Sequence, residues 1–337
     1  MPRAAIRVEM ILMEGLFASA LAVTTDVLAT ANIVGRALAA ERAVTFEWRL
    51  RTVDGGSIRS SAGSVVASDG KPELDRADIV FVFGPGMADA SRVLCDVERL
   101  DARALVPMLQ GARDRALITA SCSSTFLLAE AGLLDGGQAT TSWWLAALFR
   151  ARYPRVKLRQ GEIVCAAGNV WTAGAAMAQL DLALAVVRRF AGYDVAHACA
   201  QYLVIDEARV SQAPYLVVDH LSRHDELVAN AERWMSQHLE RTFDLEELAR
   251  ALDVHERTLA RRFVSITGLS PMRFARRLRI ETAGRLLATT SLSIAAIAAR
   301  VGYEDERAFR RAFAEQMKRS PSAHRRAHRR RAAGAAD

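Results

Sequence analysis

Apolar positions spaced i, i+3, i+4, i+7 occur twice in the last third of the chain, in nearly the same residues. FDLEELARAL (243–252) returns as LSIAAIAARV (292–301), with Leu245, Leu248, Ala249 and Leu252 matching Ile294, Ile297, Ala298 and Val301 at a register of 49 residues. Such spacing predicts one buried face on each of two short helices. A second amphipathic segment follows each copy. Leu259 and Phe263 match Phe309 and Phe313, and Ser270-Pro271 match Ser320-Pro321, now at an offset of 50, so the second turn is one residue longer. Two helix-turn-helix units are predicted, each leaving its second helix with one apolar and one exposed face. Asp244 with Glu247 three residues on reads as a capping box, and Ser293 as a simple N-cap. Between the copies, Phe274, Leu278, Ala283 and Leu286-Leu287 keep helical period through 272–290. A rigid connecting helix there would hold two recognition helices about one DNA turn, roughly 34 Å, apart.

Upstream the pattern changes to short apolar runs alternating with longer amphipathic ones. IRVEMILM (6–13), FEWRLRTV (46–53), DIVFVFG (78–84), ALITA (116–120), EIVCAA (162–167) and VWTAG (170–174) read as strands, with helices at 18–38, 101–113 and 125–134. This alternation predicts an α/β fold, a doubly wound, mostly parallel sheet of flavodoxin-like type, followed by an all-α domain with the two helix-turn-helix motifs. Ligands of such sheets sit at the carboxyl ends of strands.

At 337 residues two domains are expected. The organisation expected is a first domain at 1–200, a linker at 201–227, a helical, DNA-binding domain at 228–328 and a basic, disordered tail at 329–337. Gln212-Ala213-Pro214 breaks the joint, which extends over 189–228. No apolar stretch is read as reaching the roughly 20 residues that span a bilayer. Glu9 and Glu14 inside the first apolar segment argue against a secretory signal. Four cysteines, Cys95, Cys122, Cys165 and Cys199, are far apart and lack His partners at ligand spacing, so no metal and no cofactor is expected, and a reducing cytoplasm fits.

Charge sharpens the division. Residues 1–223 carry 23 Lys and Arg against 23 Asp and Glu, so the whole net charge of +7 lies beyond them. A basic domain with exposed recognition helices suits a polyanion, because neutralising phosphates releases counterions. On the first recognition helix Arg257, Ala260 and Arg261 project to one side; on the second Arg307, Arg310 and Arg311 do. Arginine pairs with guanine O6 and N7 in bidentate fashion, and Ala260 has only a methyl to offer thymine. His255, Thr258 and Arg262, with the run HRRAHRRR (324–331), are assigned to phosphates. Pairing of these arginines with Glu256, Glu304, Asp305 and Glu306 on the surface is the competing reading.

One stretch of the first domain suggests chemistry. In LITASCSSTFLLAEAGLL (117–134) a strand meets a small-residue turn, Ser121-Cys122-Ser123-Ser124, and a helix begins at Thr125. The arrangement has the form of a nucleophile elbow, whose helix N-terminus would favour a thiolate or receive an anion. Covalent catalysis needs a base in reach, and no His occurs before His197. Serine N–H groups and the rings of Trp143, Trp144 and Trp171 would instead make a binding site, with Trp143 favoured as the pocket wall.

Residues 228–328, through RTLARRF with GLSP and IAARVGYEDERAFRRAF with RSP, resemble the AraC-type DNA-binding domain. Residues 6–195, through FGPG (83–86), ITASCSSTFLLAEAGLLDGGQATTSWW and WTAGAAMAQLDLALAVV (171–187), resemble the PfpI-like branch of the class I glutamine-amidotransferase-like superfamily. Enzymes of that superfamily pair the elbow Cys with an adjacent His and many add an acid after the first strand; here Ser123 and Ala20 occupy those places, and Ser142 stands where related regulators often read His. The combination resembles the GlxA-type AraC-family transcriptional regulators. It implies a cytoplasmic, homodimeric transcription factor, nucleoid-associated when bound, with promoter DNA, a small-molecule effector and RNA polymerase as partners. The resemblance places the effector at Cys122, Ser123, Ser142 and Trp143, and base or backbone contacts at Arg257, Thr258, Ala260, Arg261, Arg262, Arg307, Arg310 and Arg311. The alternative is a cysteine-dependent hydratase or amidase acting through Cys122.

Overall fold

The computed structural model describes residues 5–39, 43–86, 90–207, 209, 211–212 and 225–333. The chain divides into two compact units, Met1–Gln212 and Ala213–Asp337.

In the first unit the strands are β1 (Ala5–Leu12), β2 (Thr45–Arg51), β3 (Ile58–Arg59), β4 (Val65–Val66), β5 (Ile79–Phe83), β6 (Leu117–Ser121), β7 (Gln138–Ala139), β8 (Lys157–Leu158), β9 (Val164–Ala167) and β10 (Val170–Ala173). The helices are α1 (Ala18–Ala39), α2 (Ala90–Val97), α3 (Leu100–Ala112), α4 (Thr125–Glu130), α5 (Ala146–Arg152), α6 (Ala178–Ala191) and α7 (Tyr193–Tyr202). Six strands form the central sheet in the order β2-β1-β5-β6-β10-β9, parallel except for the β10 and β9 pair. All six expected strands are present, and β3 with β4 and β7 with β8 add two small sheets.

The alternation of side chains along each strand explains the layers. Val8, Met10 and Leu12 of β1, with Phe81 and Phe83 of β5, face one core that also holds Val27, Leu28 and Ala31 of α1 and Val186 and Val187 of α6. Ile11 and Met13, with Val80, Val82, Ile118 and Ala120, face the other, under Leu105 and Leu109 of α3 and Phe126 of α4. With both faces covered, β5 and β6 read as continuous apolar runs. Contrary to the sequence expectation, one stretch, Ala18–Leu38, is long and apolar enough to cross a membrane by length and composition; its inner face is packed on the sheet, α6 and α7.

The described part of the second unit is helical: α8 (Glu226–Gln237), α9 (Leu245–Ala251), α10 (Glu256–Thr267), α11 (Pro271–Thr289), α12 (Ile294–Arg300), α13 (Glu306–Met317) and α14 (Pro321–Ala333). The duplication is visible in three dimensions. Four residues separate α9 from α10 and five separate α12 from α13, so the turn absorbs the inserted residue. Asp244 Oδ1 accepts from Glu247 N at 2.8 Å and Ser293 Oγ from Ala296 N at 3.0 Å. The reciprocal half of the capping box is not made, because the Glu247 carboxylate is taken by Arg241. The connecting helix α11 has 19 residues, about 28 Å at 1.5 Å per residue. Its apolar side joins both halves: Phe274 stacks edge-on against Phe263, while Ile280, Ala283 and Leu287 pack with Ile297, Phe309 and Phe313.

The copies differ at the C-caps. α10 ends on Gly268 at φ 73°, and at the same place α13 ends on Lys318 at φ 54°. A left-handed conformation costs a non-glycine residue about 1–2 kcal/mol. Lys318→Gly is therefore expected to raise the stability of the second unit by about 0.5–1 kcal/mol, after the entropy that glycine adds to the unfolded chain, seen as a higher urea midpoint. An unchanged or lower midpoint would show that the Lys318 side chain compensates its backbone.

Two terminal expectations change. Of the run expected at phosphates, His324 is 7 % exposed and edge-on to Phe313, so it is built into the core, and the half-buried Arg325 donates to Leu292 O. Residues 329–333, expected to be disordered, continue α14; 334–337 lie outside the described residues, as do Ala213 and Pro214 of the expected break.

Candidate functional site

The elbow forms where β6 ends. Cys122 takes φ 56°, a left-handed conformation that a β-carbon disfavours, and a single 3-10 turn, Cys122–Ser124, leads into α4. The strained peptide is held on every side. Its N–H donates to Gly174 O at 2.7 Å and Thr141 Oγ1 donates to its carbonyl at 2.7 Å. Ser142 Oγ donates to Sγ at 3.0 Å. The FGPG segment after β5 is fastened to the same turn, with Gly84 N donating to Ser124 Oγ at 2.6 Å and Ser123 Oγ donating to Pro85 O at 2.7 Å.

Above this floor is a cavity of about 240 Å³, bounded chiefly by Phe17, Ala20, Phe83, Gly86, Cys122 and Trp144. Ala20 stands in it where the superfamily's acid was expected. Apart from Cys122 itself, no described residue lining it ionises. Several assignments therefore shift. Ser123 lines the cavity with its hydroxyl already donated to Pro85. Ser142 is fully buried and supports the sulfur from behind, so it is no part of the lining. Trp143 is 7 % exposed and does not line the cavity; Trp144, edge-on to it at 5.2 Å between ring centroids, does. The segment is a 3-10 turn, Trp143–Leu145, which rotates successive side chains by about 120° and sends the second ring to the cavity. Trp171 lies elsewhere, its Nε1 bonded to Gly168 O and its ring under Arg189. Phe17 and Phe83 were not named as site residues from the sequence; the signals were the place of Phe17 shortly after β1 and of Phe83 at the carboxyl end of β5, opening the FGPG motif.

The electrostatics oppose a nucleophile. Burial pushes the Cys122 thiol above its ordinary range, and the hydrogen bonds from Ser142 and Ser123 offset this only partly. α4, with six residues, supplies less dipole than the expected longer helix. Glu14 turns away to accept from Arg59 N. His197 pairs with Glu207 at 2.6 Å on α7 and stacks on Tyr193. A thiol whose pKa is raised is protonated at neutral pH, so less than an ordinary thiol's share is reactive thiolate. Alkylation of Cys122 by iodoacetamide is accordingly expected to be slower at pH 7 than that of a free thiol and to climb through pH 9 without a plateau. A plateau near neutrality, followed by peptide mass spectrometry, would mean an activated thiolate.

In the second unit, Leu259 and Phe263 of α10 and Phe309, Ala312 and Phe313 of α13 are buried. The opposite faces expose Arg257, Thr258 and Arg261, and Arg307 and Arg311. None of these four arginines is in an ion pair among the described residues. Ala260 is half-buried between them. The other two arginines differ from expectation. Arg310 is half-buried and donates through Nε to Glu306 at 2.7 Å, one helical turn back. Arg262, expected at phosphates, donates through Nε to the buried carboxylate of Asp225, the N-cap of α8. Its role is first structural, because that carboxylate has left water and needs a partner.

A helix-turn-helix domain family matches residues 248–327. The chain is 28% identical to the HTH-type transcriptional regulator CdhR of Pseudomonas aeruginosa over 82% of this chain and 81% of that protein. It is 29% identical to the HTH-type transcriptional regulator GlxA of Rhizobium meliloti over 81% of this chain and 82% of that protein. Among solved structures, a regulator-type protein from Vibrio parahaemolyticus superposes with a TM-score of 0.50 at 20% identity, covering 59% of this chain and 99% of that one, which bears on the fold of the first unit. The hydratase or amidase alternative finds no support among these relatives. With a duplicated helix-turn-helix, an enzyme-like sheet whose cysteine has no base beside it among the described residues, and regulators matching both along four fifths of its length, the chain is similar throughout to AraC-family transcriptional regulators of the GlxA type.

Proposed function

We propose that this transcription factor responds to a small metabolite held in the Cys122 cavity. The observation that carries this is the cavity's character: about 240 Å³, walled by Phe17, Phe83 and Trp144, with the hydroxyls of Ser123, Ser124 and Ser142 engaged and no ionisable neighbour for the thiol among the described residues. Such a site has little to offer a reaction and much to offer an apolar group or a weakly hydrated cation. Promoter contacts fall to the exposed arginines, Arg257 and Arg261 on α10 and Arg307 and Arg311 on α13, with Thr258 at a phosphate and Ala260 against a thymine methyl. Arg310 contributes when it leaves Glu306. The protein acts as a cytoplasmic homodimer, nucleoid-associated on its promoter, and meets RNA polymerase there. A ligand changes transcription only through a difference in affinity between two states of the protein.

The test is a thermal-shift screen of small amines, quaternary ammonium compounds and uncharged metabolites on the full chain. A compound at 100 times its dissociation constant stabilises by about 2.7 kcal/mol, and Ala20→Leu, which narrows the cavity and leaves Cys122 in place, is expected to abolish the shift. A ligand whose effect survives Ala20→Leu sits elsewhere, and the cavity reading falls.

A further inference from the structure

Gln212, the last described residue of the first unit, is anchored beside the elbow. It is 4 % exposed. Its N–H donates to Gly161 O at 2.8 Å, Ser211 Oγ donates to the same carbonyl at 2.9 Å, and Ser211 forms an isolated antiparallel bridge with Glu162. The carboxamide is surrounded by acceptors. Nε2 lies 2.9 Å from Glu162 O, 3.0 Å from Thr141 O, and 3.3 Å from both Thr140 Oγ1 and Gln160 O. Only a donor fits there. The seat exists because residue 174 is glycine: a β-carbon on it would come within 2.2 Å of Gln212 Cδ.

Of the three backbone segments that the carboxamide touches, 140–141, 160–162 and Gly174, the first and the last also hold Cys122. Gly174 O receives the Cys122 N–H, and Thr141 donates to the Cys122 carbonyl. A displacement at the elbow therefore meets Gln212 after one intervening residue, along either route. The seat is also held from one side only, because Gln212 Oε1 is buried without a hydrogen-bond partner among the described residues. Such a group gains nothing from its acceptor, so its position depends on the exact placing of the oxygens around Nε2.

We propose that Gln212 is the positioning residue that ties the Cys122 elbow to the chain's exit from the first unit, so that a change in the volume occupied at Cys122 unseats residues 211–212. The inference rests on reading the Cys122 cavity as the effector site, and it supplies the step by which occupancy is passed along the chain.

Amide exchange on the full chain, followed by mass spectrometry, tests it. Cys122→Met adds volume at the cavity floor and is expected to raise exchange at Ser211 and Gln212 at least fivefold. Gln212→Leu, close in volume but without donors, and Gly174→Ala, which puts a β-carbon in the seat, are each expected to raise it alone. Adding Cys122→Met to either should then change nothing more, a non-additivity that mere loss of packing would not produce. Unchanged exchange in β5 and α1 identifies the variants that have kept the fold. The inference is overturned if Cys122→Met leaves residues 211–212 as protected as in the native chain, or if its effect is undiminished with Leu at position 212. Failure of the cavity reading is separate: no compound in the thermal screen stabilises the chain, while the Cys122→Met response and its loss in Gln212→Leu persist.

Discussion

Replacing Arg261 or Arg311 with alanine is expected to weaken specific promoter binding by about 1–3 kcal/mol each, roughly five- to more than a hundredfold, and the double variant by close to the sum. The reasoning starts from what these side chains do in the free protein. Both are exposed, on faces opposite Phe263 and Phe313, and neither is in an ion pair among the described residues. Nothing in the fold is lost by removing them, so the whole effect should fall on affinity for the cognate site. Arg310→Ala is the internal comparison. Its guanidinium must leave Glu306 before it can reach DNA, which offsets part of whatever it gains, and a smaller loss is expected. Binding should be measured at fixed salt on the promoter and on unrelated DNA. A base-reading arginine lowers the ratio of the two, whereas a phosphate contact lowers both together and flattens the salt dependence. Equal losses on both DNAs would move Arg261 and Arg311 from base edges to the backbone; unchanged affinity on both would remove them from the interface.

Asp225→Ala is expected to cost the second unit about 2–4 kcal/mol. One carboxylate does two things there. Oδ1 caps α8 by accepting from Val228 N at 3.0 Å, a contact worth about 1 kcal/mol. Oδ2 receives Arg262 Nε in a charge-assisted hydrogen bond, worth about 1.5–3 kcal/mol where one partner is buried. Asp225→Asn keeps an oxygen for the cap and gives up the charge, so it should cost less than the alanine. Urea unfolding with exchange at the α8 amides separates the two. If alanine costs under 0.5 kcal/mol, the carboxylate is not the link between α8 and α10 that its burial implies. Arg262→Ala then carries a distinct signature: it lowers stability, and any weakening on DNA is shared by all sequences, because no base is being read.

How much of this was legible in advance depended on how far apart the partners lie. β5 and β6 announced themselves as unbroken apolar runs because both faces of the sheet are covered, and α9, α10, α12 and α13 because a duplicated stripe is its own control. β3, β4, β7 and β8, two residues each, are too short to carry a period. Arg262 and Asp225 are 37 residues apart, and Ser124 and Gly84 are 40 apart; neither pairing leaves a local trace, so Arg262 read as a phosphate contact and the fastening of the elbow to the FGPG segment went unseen. The choice between Trp143 and Trp144 turned on tertiary placement, which the resemblance assigned to Trp143 and the structure gives to Trp144. Adjacent rings on a helical turn point about 100–120° apart, so only one can face the elbow, and which one depends on how the 3-10 turn Trp143–Leu145 is set against the sheet.

The fastening of the elbow has a thermodynamic corollary. The Cys122 peptide, the hydroxyls of Ser123, Ser124 and Ser142 and the FGPG segment are already bonded to one another. A guest entering the cavity therefore meets a preorganised floor and has little disorder to remove from it. Its affinity comes from the water released by the aromatic walls, which gives binding a negative heat-capacity change. A lock of this kind favours discrimination by shape over adaptation: compounds that fit lose almost nothing to reorganisation, while one a methyl group too large must deform a network in which every bond shares the strain.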